Sequence, residues 1–489
     1  MFGHFKRFGK QFIIYGIGDA INKAIVVLIV PLFTHYLSPS DYGVAAILVV
    51  TNSLIVGISD LGMTNSIARY YREEEDSKKS HIITTVQITV MLLTLMIAIS
   101  GSLFSVQISS LLFKSASYSY LVILNLFTIP LTVAISPPMM RFRLNQKPKI
   151  YSAFNIAKAI TGIGLNILFI IGLKRGIAGM FEANLLNAGL FALIIGGYSV
   201  NMGGIHFSKT LLKKLVLFGF PFMMGLVAFW VMDWSDRFLL IRMTNLSEVG
   251  LYNLGYSIGM AIMLPVGAFE TAWPPFFMSI TDQSNYKKIY SLILTYYVLI
   301  MAFIVILITV LAPDYFRLFT PSVYHQAYIV VPLVAFSYSL RGVFSIMAVG
   351  SFLKQRPVFQ FASELIAMVL NIAIMFILIP RMGRIGAAWA TAIAYMIMPV
   401  AIYLFSRKLF EIKYDFKRLA QIFLIGLGVY YVTKVVYQPT NLNLLIRLSI
   451  LVLYPILLYL TGFFLDEEMK KIKLVIKKIF GGFLLRRKK

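Results

Sequence analysis

Residues 78–104 read KKSHIITTVQITVMLLTLMIAISGSLF. Two lysines and a histidine stand at one end, and an uncharged, strongly apolar run follows from Ile82 to Phe104. As an α-helix, about 20 such residues cross the ~30 Å hydrocarbon core of a bilayer. The stretch therefore reads as one membrane span with a basic flank on one side only.

The unit recurs along the chain. Apolar runs of similar length lie near 12–34, 43–64, 82–104, 118–139, 150–173, 177–199, 215–241, 250–272, 290–311, 326–350, 358–380, 385–405, 419–437 and 445–464. These imply an all-α membrane protein of fourteen spans. Lysine and arginine gather in alternate gaps. Lys6, Arg7 and Lys10 precede the first run, and Arg69, Arg72, Lys78 and Lys79 follow the second. Arg141, Arg143, Lys147 and Lys149 follow the fourth, and Lys209, Lys213 and Lys214 the sixth. The pattern continues through Lys287, Lys354 and Arg407 to the basic tail from Lys470 to Lys489. The intervening gaps are short and carry few basic residues, such as Lys114, Lys174 and Arg317. The positive-inside rule then places both termini in the cytoplasm of a multi-pass protein of the bacterial inner membrane.

The totals agree. An apolar share of 59% and a mean hydropathy of +0.81 exclude an ordinary soluble domain. The formal net charge of +25 would suit nucleic acid. Its spread over cytoplasmic loops is explained more simply by anionic lipid headgroups, so membrane lipids and not nucleic acid are the expected partners. There is no cysteine, which excludes disulfides, thiolate metal sites and palmitoyl anchors. His4, His35, His81, His206 and His325 lie far apart, so neither a metal site nor a cofactor is expected. Asp19 and Lys23 interrupt the first run and no small-residue cleavage site follows it, so it reads as an uncleaved span.

A weak internal repeat appears at an offset of 207 residues. Gly43 in SDYG matches Gly250 in SEVG, and Gly176 and Gly179 in GIAG match Gly383 and Gly386 in GRIG. The starts of four runs coincide under the same shift. Two six-helix lobes are expected around a central cavity, 1–205 and 206–410, with an extra helix pair at 411–465. Because six is even, their pseudo-symmetry axis should follow the membrane normal. The tail 466–489 places Met469, Ile472, Ile476 and Ile479 on one helical face among lysines, as an interfacial amphipathic helix would. Pro130, Pro265, Pro332, Pro399 and Pro455 fall well inside runs, where they can bend helices. Gly255 and Gly259 form a GxxxG step suited to close helix packing.

Ionisable residues within spans cost a few kcal/mol each and are functional candidates by default. They are Asp19, Lys23, Lys158, Glu182, Asp233, Asp236, Arg237, Glu270, Arg341 and Glu364. Lys23 and Arg341 lie deepest, whereas Glu182, Asp236 and Arg237 fall toward external ends where long side chains can snorkel to water. Asp19 and Lys23, four apart on one helical face, either form an orienting pair or line a wet cavity. Arg341 has no acid within a turn, which implies a lumen role or a partner on another helix. Lys23, Lys158, Arg237 and Arg341 are the candidate cationic contacts. Asp19, Asp236, Glu270 and Glu364 are candidates for ion coupling or charge pairing. No nucleophile–base arrangement, metal cluster or phosphate-cradling glycine loop is present, so an enzyme is not expected.

Several stretches resemble a known family. Pro31-Leu-Phe-Thr-His-Tyr-Leu-Ser-Pro-Ser-Asp-Tyr-Gly43, Asp60-Leu-Gly62 and Ala68-Arg-Tyr-Tyr71 are similar to the opening of polysaccharide (O-antigen, Wzx-type) flippases. So are Phe218-Gly-Phe-Pro221, Ser235-Asp-Arg237, Val249-Gly-Leu-Tyr252, Ala272-Trp-Pro-Pro275 and Ile385-Gly-Ala-Ala-Trp-Ala-Thr391. That family belongs to the multidrug/oligosaccharidyl-lipid/polysaccharide exporter superfamily. The resemblance implies alternating access and a cargo of undecaprenyl-pyrophosphate-linked oligosaccharide, destined for lipopolysaccharide or other surface polysaccharide. It also implies working partners in a polysaccharide polymerase and chain-length proteins. The alternatives are a lipid II flippase or a multidrug/cation antiporter of the same superfamily. A membrane polysaccharide polymerase or ligase is disfavoured by the short external gaps.

Overall fold

The computed structural model describes residues 30–201, 204, 206–408, 410–435, 441–466 and 468–469. Asp19 and Lys23 in the first run, and the basic tail from Lys470, lie outside the described residues. The described chain is helical, without a strand. Its first half contains α1 (Pro39–Ser59), α2 (Met63–Tyr70), α3 (Asp76–Leu103), α4 (Ser105–Phe113), α5 (Ser119–Leu144), α6 (Pro148–Asn166) and α7 (Gly176–Asn201). The second half contains α8 (Lys209–Met243), α9 (Leu246–Gly259), α10 (Met263–Ser279), α11 (Tyr286–Phe319), α12 (Val331–Met347), α13 (Val349–Leu353), α14 (Val358–Met382) and α15 (Arg384–Arg407). Helices α16 (Phe416–Val435) and α17 (Asn441–Leu460) follow. Ten helical segments among the described residues are long and apolar enough to cross a membrane. The chain is a multi-pass membrane protein.

Local chemistry sets the helix starts that matter most. Pro39 occupies the first turn of α1, where its missing N–H costs nothing. Ser38 caps that turn: its Oγ accepts the Asp41 N–H at 3.2 Å, and its own N–H donates to Asp41 Oδ2 at 2.8 Å. Asn245 caps α9 in the same way, accepting the Glu248 N–H at 3.0 Å. These caps stand 207 residues apart, and the helices they start pack against each other. At the crossing, a Cβ on Gly43 would overlap the Leu246 carbonyl, and one on Gly250 would overlap that of Pro39. Only glycine allows so close a backbone approach.

Two runs that read as single spans are divided. The run 250–272 breaks at a 3-10 turn, Met260–Ile262, between α9 and α10. The run 326–350 begins as a 3-10 helix, Ser322–Val330, before α12. Pro332 has no amide to donate, and Val331 N–H closes a tighter bond to Tyr328 O instead. Pro332 and Pro265 therefore sit in first turns, whereas Pro130, Pro399 and Pro455 lie within helices. The GxxxG step does serve packing: a Cβ on Gly255 would overlap Ala327 O, and one on Gly259 would press Val334.

Candidate functional site: two polar cavities

The first cavity lies in the second half and measures about 180 Å³. Glu270 of α10, Arg341 of α12, Glu364 of α14 and Tyr395 of α15 line it, together with Met232 of α8. Arg341 Nε donates to Glu270 Oε1 at 3.3 Å, and both side chains keep about a quarter of their surface exposed (27% and 25%). The acid that the sequence lacked within a turn of Arg341 thus comes from another helix. A charge pair that stays partly wet can exchange its partner for a ligand at lower cost than a dry one.

Behind this cavity is a dry polar network. Tyr395 Oη donates to Asp233 Oδ1 at 2.7 Å, and the Asp233 carbonyl accepts from Arg237 Nη1 at 3.0 Å. The same Nη1 reaches both Asp236 carboxylate oxygens, at 2.7 and 2.8 Å. Tyr252 donates to Asp236 Oδ2 at 2.5 Å, and Tyr256 bonds Tyr338. The guanidinium stacks 3.9 Å from the Tyr256 ring centroid, with Trp234 at 4.8 Å. Arg237 is 0% exposed. This departs from the expectation that it snorkels to water from a helix end and lines a cationic cavity. Aromatic rings from α8 and α9 close over it, so it holds the helices together and touches neither cavity. Asp236 is its charge partner.

The second cavity lies between the halves and measures about 560 Å³. Lys158 and Asn155 of α6, Asn184 and Asn187 of α7, and Asn253 of α9 line it, with Tyr42 of α1. Asn187 Nδ2 donates to the Lys158 carbonyl at 3.2 Å, and Asn166 Nδ2 to Gly162 O at 2.8 Å. Among the described residues Lys158 has no ion-pair partner. The halves touch near both ends of α1. At one end Ser40 and Ser247 bond at 2.9 Å; at the other Ser66 Oγ donates to Leu215 O at 2.6 Å, where Gly62 and Gly219 abut.

Of the eight residues singled out from the sequence, Arg341, Glu270 and Glu364 come together at the first cavity. Lys158 stands alone at the second, and Asp19 and Lys23 fall outside the described residues. Glu182 is held by Arg175 Nε at 3.1 Å and Tyr120 Oη at 3.0 Å. The asparagines and the tyrosines escaped the search, because neither carries charge and tyrosine reads as part of an apolar run. Asparagine spaced at 184 and 187, one turn apart, was the available signal. Among the described residues no three His, Asp or Glu side chains converge as a metal site.

Similarity to known proteins is consistent with this architecture. The family of polysaccharide biosynthesis proteins matches residues 8–281. No curated protein matches the chain significantly in sequence. Among solved structures, lipid II flippase MurJ in an inward closed conformation superposes with a TM-score of 0.71 at 18% identity, covering 91% of this chain and 97% of that one. An inward-facing multidrug resistance MATE family transporter of the MOP superfamily gives 0.58 at 15% identity, covering 81% and 94%. The outward-facing conformation gives 0.58 at 16%, covering 82% and 95%. At these identities the structures show a shared fold, and the family match spans more than half of the sequence. The chain belongs to the polysaccharide biosynthesis protein family, and its fold is the one seen in MurJ and MATE transporters.

Proposed function

We propose that this protein flips an undecaprenyl-pyrophosphate-linked oligosaccharide across the bacterial cytoplasmic membrane by alternating access, for export of an O-antigen-type surface polysaccharide. The observation that carries the reading is the Lys158 cavity between the halves of a MurJ-like fold, in a chain of the polysaccharide biosynthesis family. A pyrophosphate and its sugars cannot cross hydrocarbon unaided, since unpaired polar groups are costly there. A wet groove carries the headgroup while the lipid tail stays in the bilayer.

In this reading fourteen spans, with both termini cytoplasmic, form lobes 1–205 and 206–410 plus the pair 411–465. The matched caps at Ser38 and Asn245 support the repeat. Lys158 and Arg341, with Lys23 of the first run, attract the anionic headgroup. Glu270 and Glu364, with Asp19, exchange partners or protons as the cavity fills, and Arg237–Asp236 keeps the second lobe rigid. The protein translocates and performs no covalent chemistry.

Deletion of the gene tests this. Lipid-linked oligosaccharide should accumulate on the cytoplasmic side, and surface polysaccharide should fall. Accumulation of lipid II instead would favour the second reading, a lipid II flippase, for which the 0.71 TM-score to MurJ speaks. Altered drug susceptibility with normal lipid intermediates would point to an antiporter.

A further inference from the structure

The Lys158 cavity is more amide than charge. Five asparagines (Asn155, Asn166, Asn184, Asn187 and Asn253) surround one lysine, drawn from α6, α7 and α9. Asn166 and Asn187 are 8% and 9% exposed, and among the described residues the Oδ1 of each has no hydrogen-bond partner. Buried polar atoms are nearly always satisfied, so two orphaned acceptors on residues that line one cavity point to donors that arrive with a ligand. Their Nδ2 groups are already committed, to Gly162 O and Asn184 Oδ1 for Asn166 and to Lys158 O for Asn187. Those bonds fix which way each amide faces. A Cβ on Gly162 would press Asn187 Nδ2 at 2.8 Å, so the glycine also keeps that side chain in place.

We propose that this cavity is a subsite for uncharged, polyhydroxylated sugar, bound through the asparagine amides, with Lys158 directed at the anionic group next to it. The inference rests on the flippase reading and adds where the glycan sits. An amide offers two donors and an acceptor in one plane, which matches the paired donor and acceptor character of neighbouring hydroxyls. A phosphate offers acceptors only, and cannot meet the Asn166 and Asn187 oxygens. A volume of about 560 Å³ falls within the usual range of small-ligand sites. Asn253 comes from the second half and the other four asparagines from the first. A bound sugar would therefore bridge the halves.

The test uses the full-length protein in nanodiscs and two short-chain polyprenyl pyrophosphates, one bearing an N-acetylhexosamine and one without sugar. Wild type should bind the glycosylated compound more tightly. Asn187→Ala and, on a different helix, Asn253→Ala should each weaken the glycosylated compound about threefold to tenfold and leave the bare pyrophosphate unchanged. Lys158→Gln should weaken both. Equal affinity of wild type for the two compounds, or asparagine variants that affect both alike or neither, overturns the subsite and leaves the flippase reading intact. Failure of wild type to bind either compound overturns both.

Discussion

Ser40 Oγ and Ser247 Oγ, 207 residues apart in sequence, meet at 2.9 Å. The same offset separates Gly43 from Gly250, whose backbones abut beside them, and Pro39 from Leu246, whose carbonyls each glycine makes room for. In the proposed two-lobe arrangement, a residue that touches its own repeat equivalent lies on the axis relating the lobes. The contact sits where α1 and α9 begin, which the basic-residue pattern assigns to the external side. It is built from small residues and the serine bond, with Tyr324 Oη donating to Leu37 O at 2.5 Å beside it.

That geometry makes the contact lockable. The sequence contains no cysteine, so Ser40→Cys with Ser247→Cys introduces one pair on a clean background. Oxygens 2.9 Å apart place the two β-carbons within reach of a disulfide. Oxidation should stop polysaccharide export, and reductant should restore it. Each single variant should export normally under both conditions. Continued export by a fully cross-linked pair would show that these helices do not part during transport.

The dry network behind the first cavity predicts an asymmetry. Asp236→Ala leaves the fully buried Arg237 guanidinium uncompensated, at a cost of about 3–5 kcal/mol. Arg237→Met with Asp236→Leu removes both charges and fills the space, and should cost much less. Thermal unfolding of purified protein in nanodiscs would rank them. An equal loss in both would mean that the ion pair itself stabilises the helices.

The all-helical, multi-pass character was legible because long apolar runs stand out on any scale, as do the charges of Lys158 and Arg341 within them. The breaks at 260–262 and 330–332 were not, since composition does not reveal which carbonyl an amide selects. Pro332 alone gave a hint. Nor could spacing predict that Arg341 pairs with Glu270, 71 positions away, or that Arg237 is roofed by Tyr256 rather than water. Depth along a span gives distance from the bilayer centre and says nothing of which neighbours close over a side chain. The asparagine cavity was hidden for a different reason: it is assembled from three helices, each contributing residues unremarkable alone.

At the end of α17 the chain turns back, and Glu468 bonds Arg418 of α16 at 2.9 and 3.1 Å. Burial pushes the Glu468 carboxyl upward, but the Leu465 N–H and the Arg418 guanidinium outweigh it and hold the group below its ordinary value. A carboxyl depressed on folding stabilises the fold above its unfolded pKa. That contribution is lost as pH falls through the folded value. Thermal stability should therefore drop on acidification below about pH 4.5 more in wild type than in Glu468→Gln. Parallel pH curves would remove the bond from the stability account.

Arg341 offers the sharpest separation of structure from transport. Its guanidinium touches Glu270 on one side and the cavity on the other. If pairing were its whole purpose, removing both charges together would restore what removing one destroys. If it also grips the cargo, Arg341→Gln should cut surface polysaccharide by about tenfold or more, the scale of a lost charge-assisted contact. Arg341→Gln with Glu270→Gln should regain folding and membrane insertion yet remain export-deficient. Arg341→Lys, which keeps the charge without the planar fork, should fall between. Each variant is scored twice, by the amount of inserted protein and by surface polysaccharide per inserted molecule. Full export by the doubly neutral variant would reduce Arg341 to the structural partner of Glu270. Loss that persists there assigns the charge to the cargo, as Lys158→Gln tests at the other cavity.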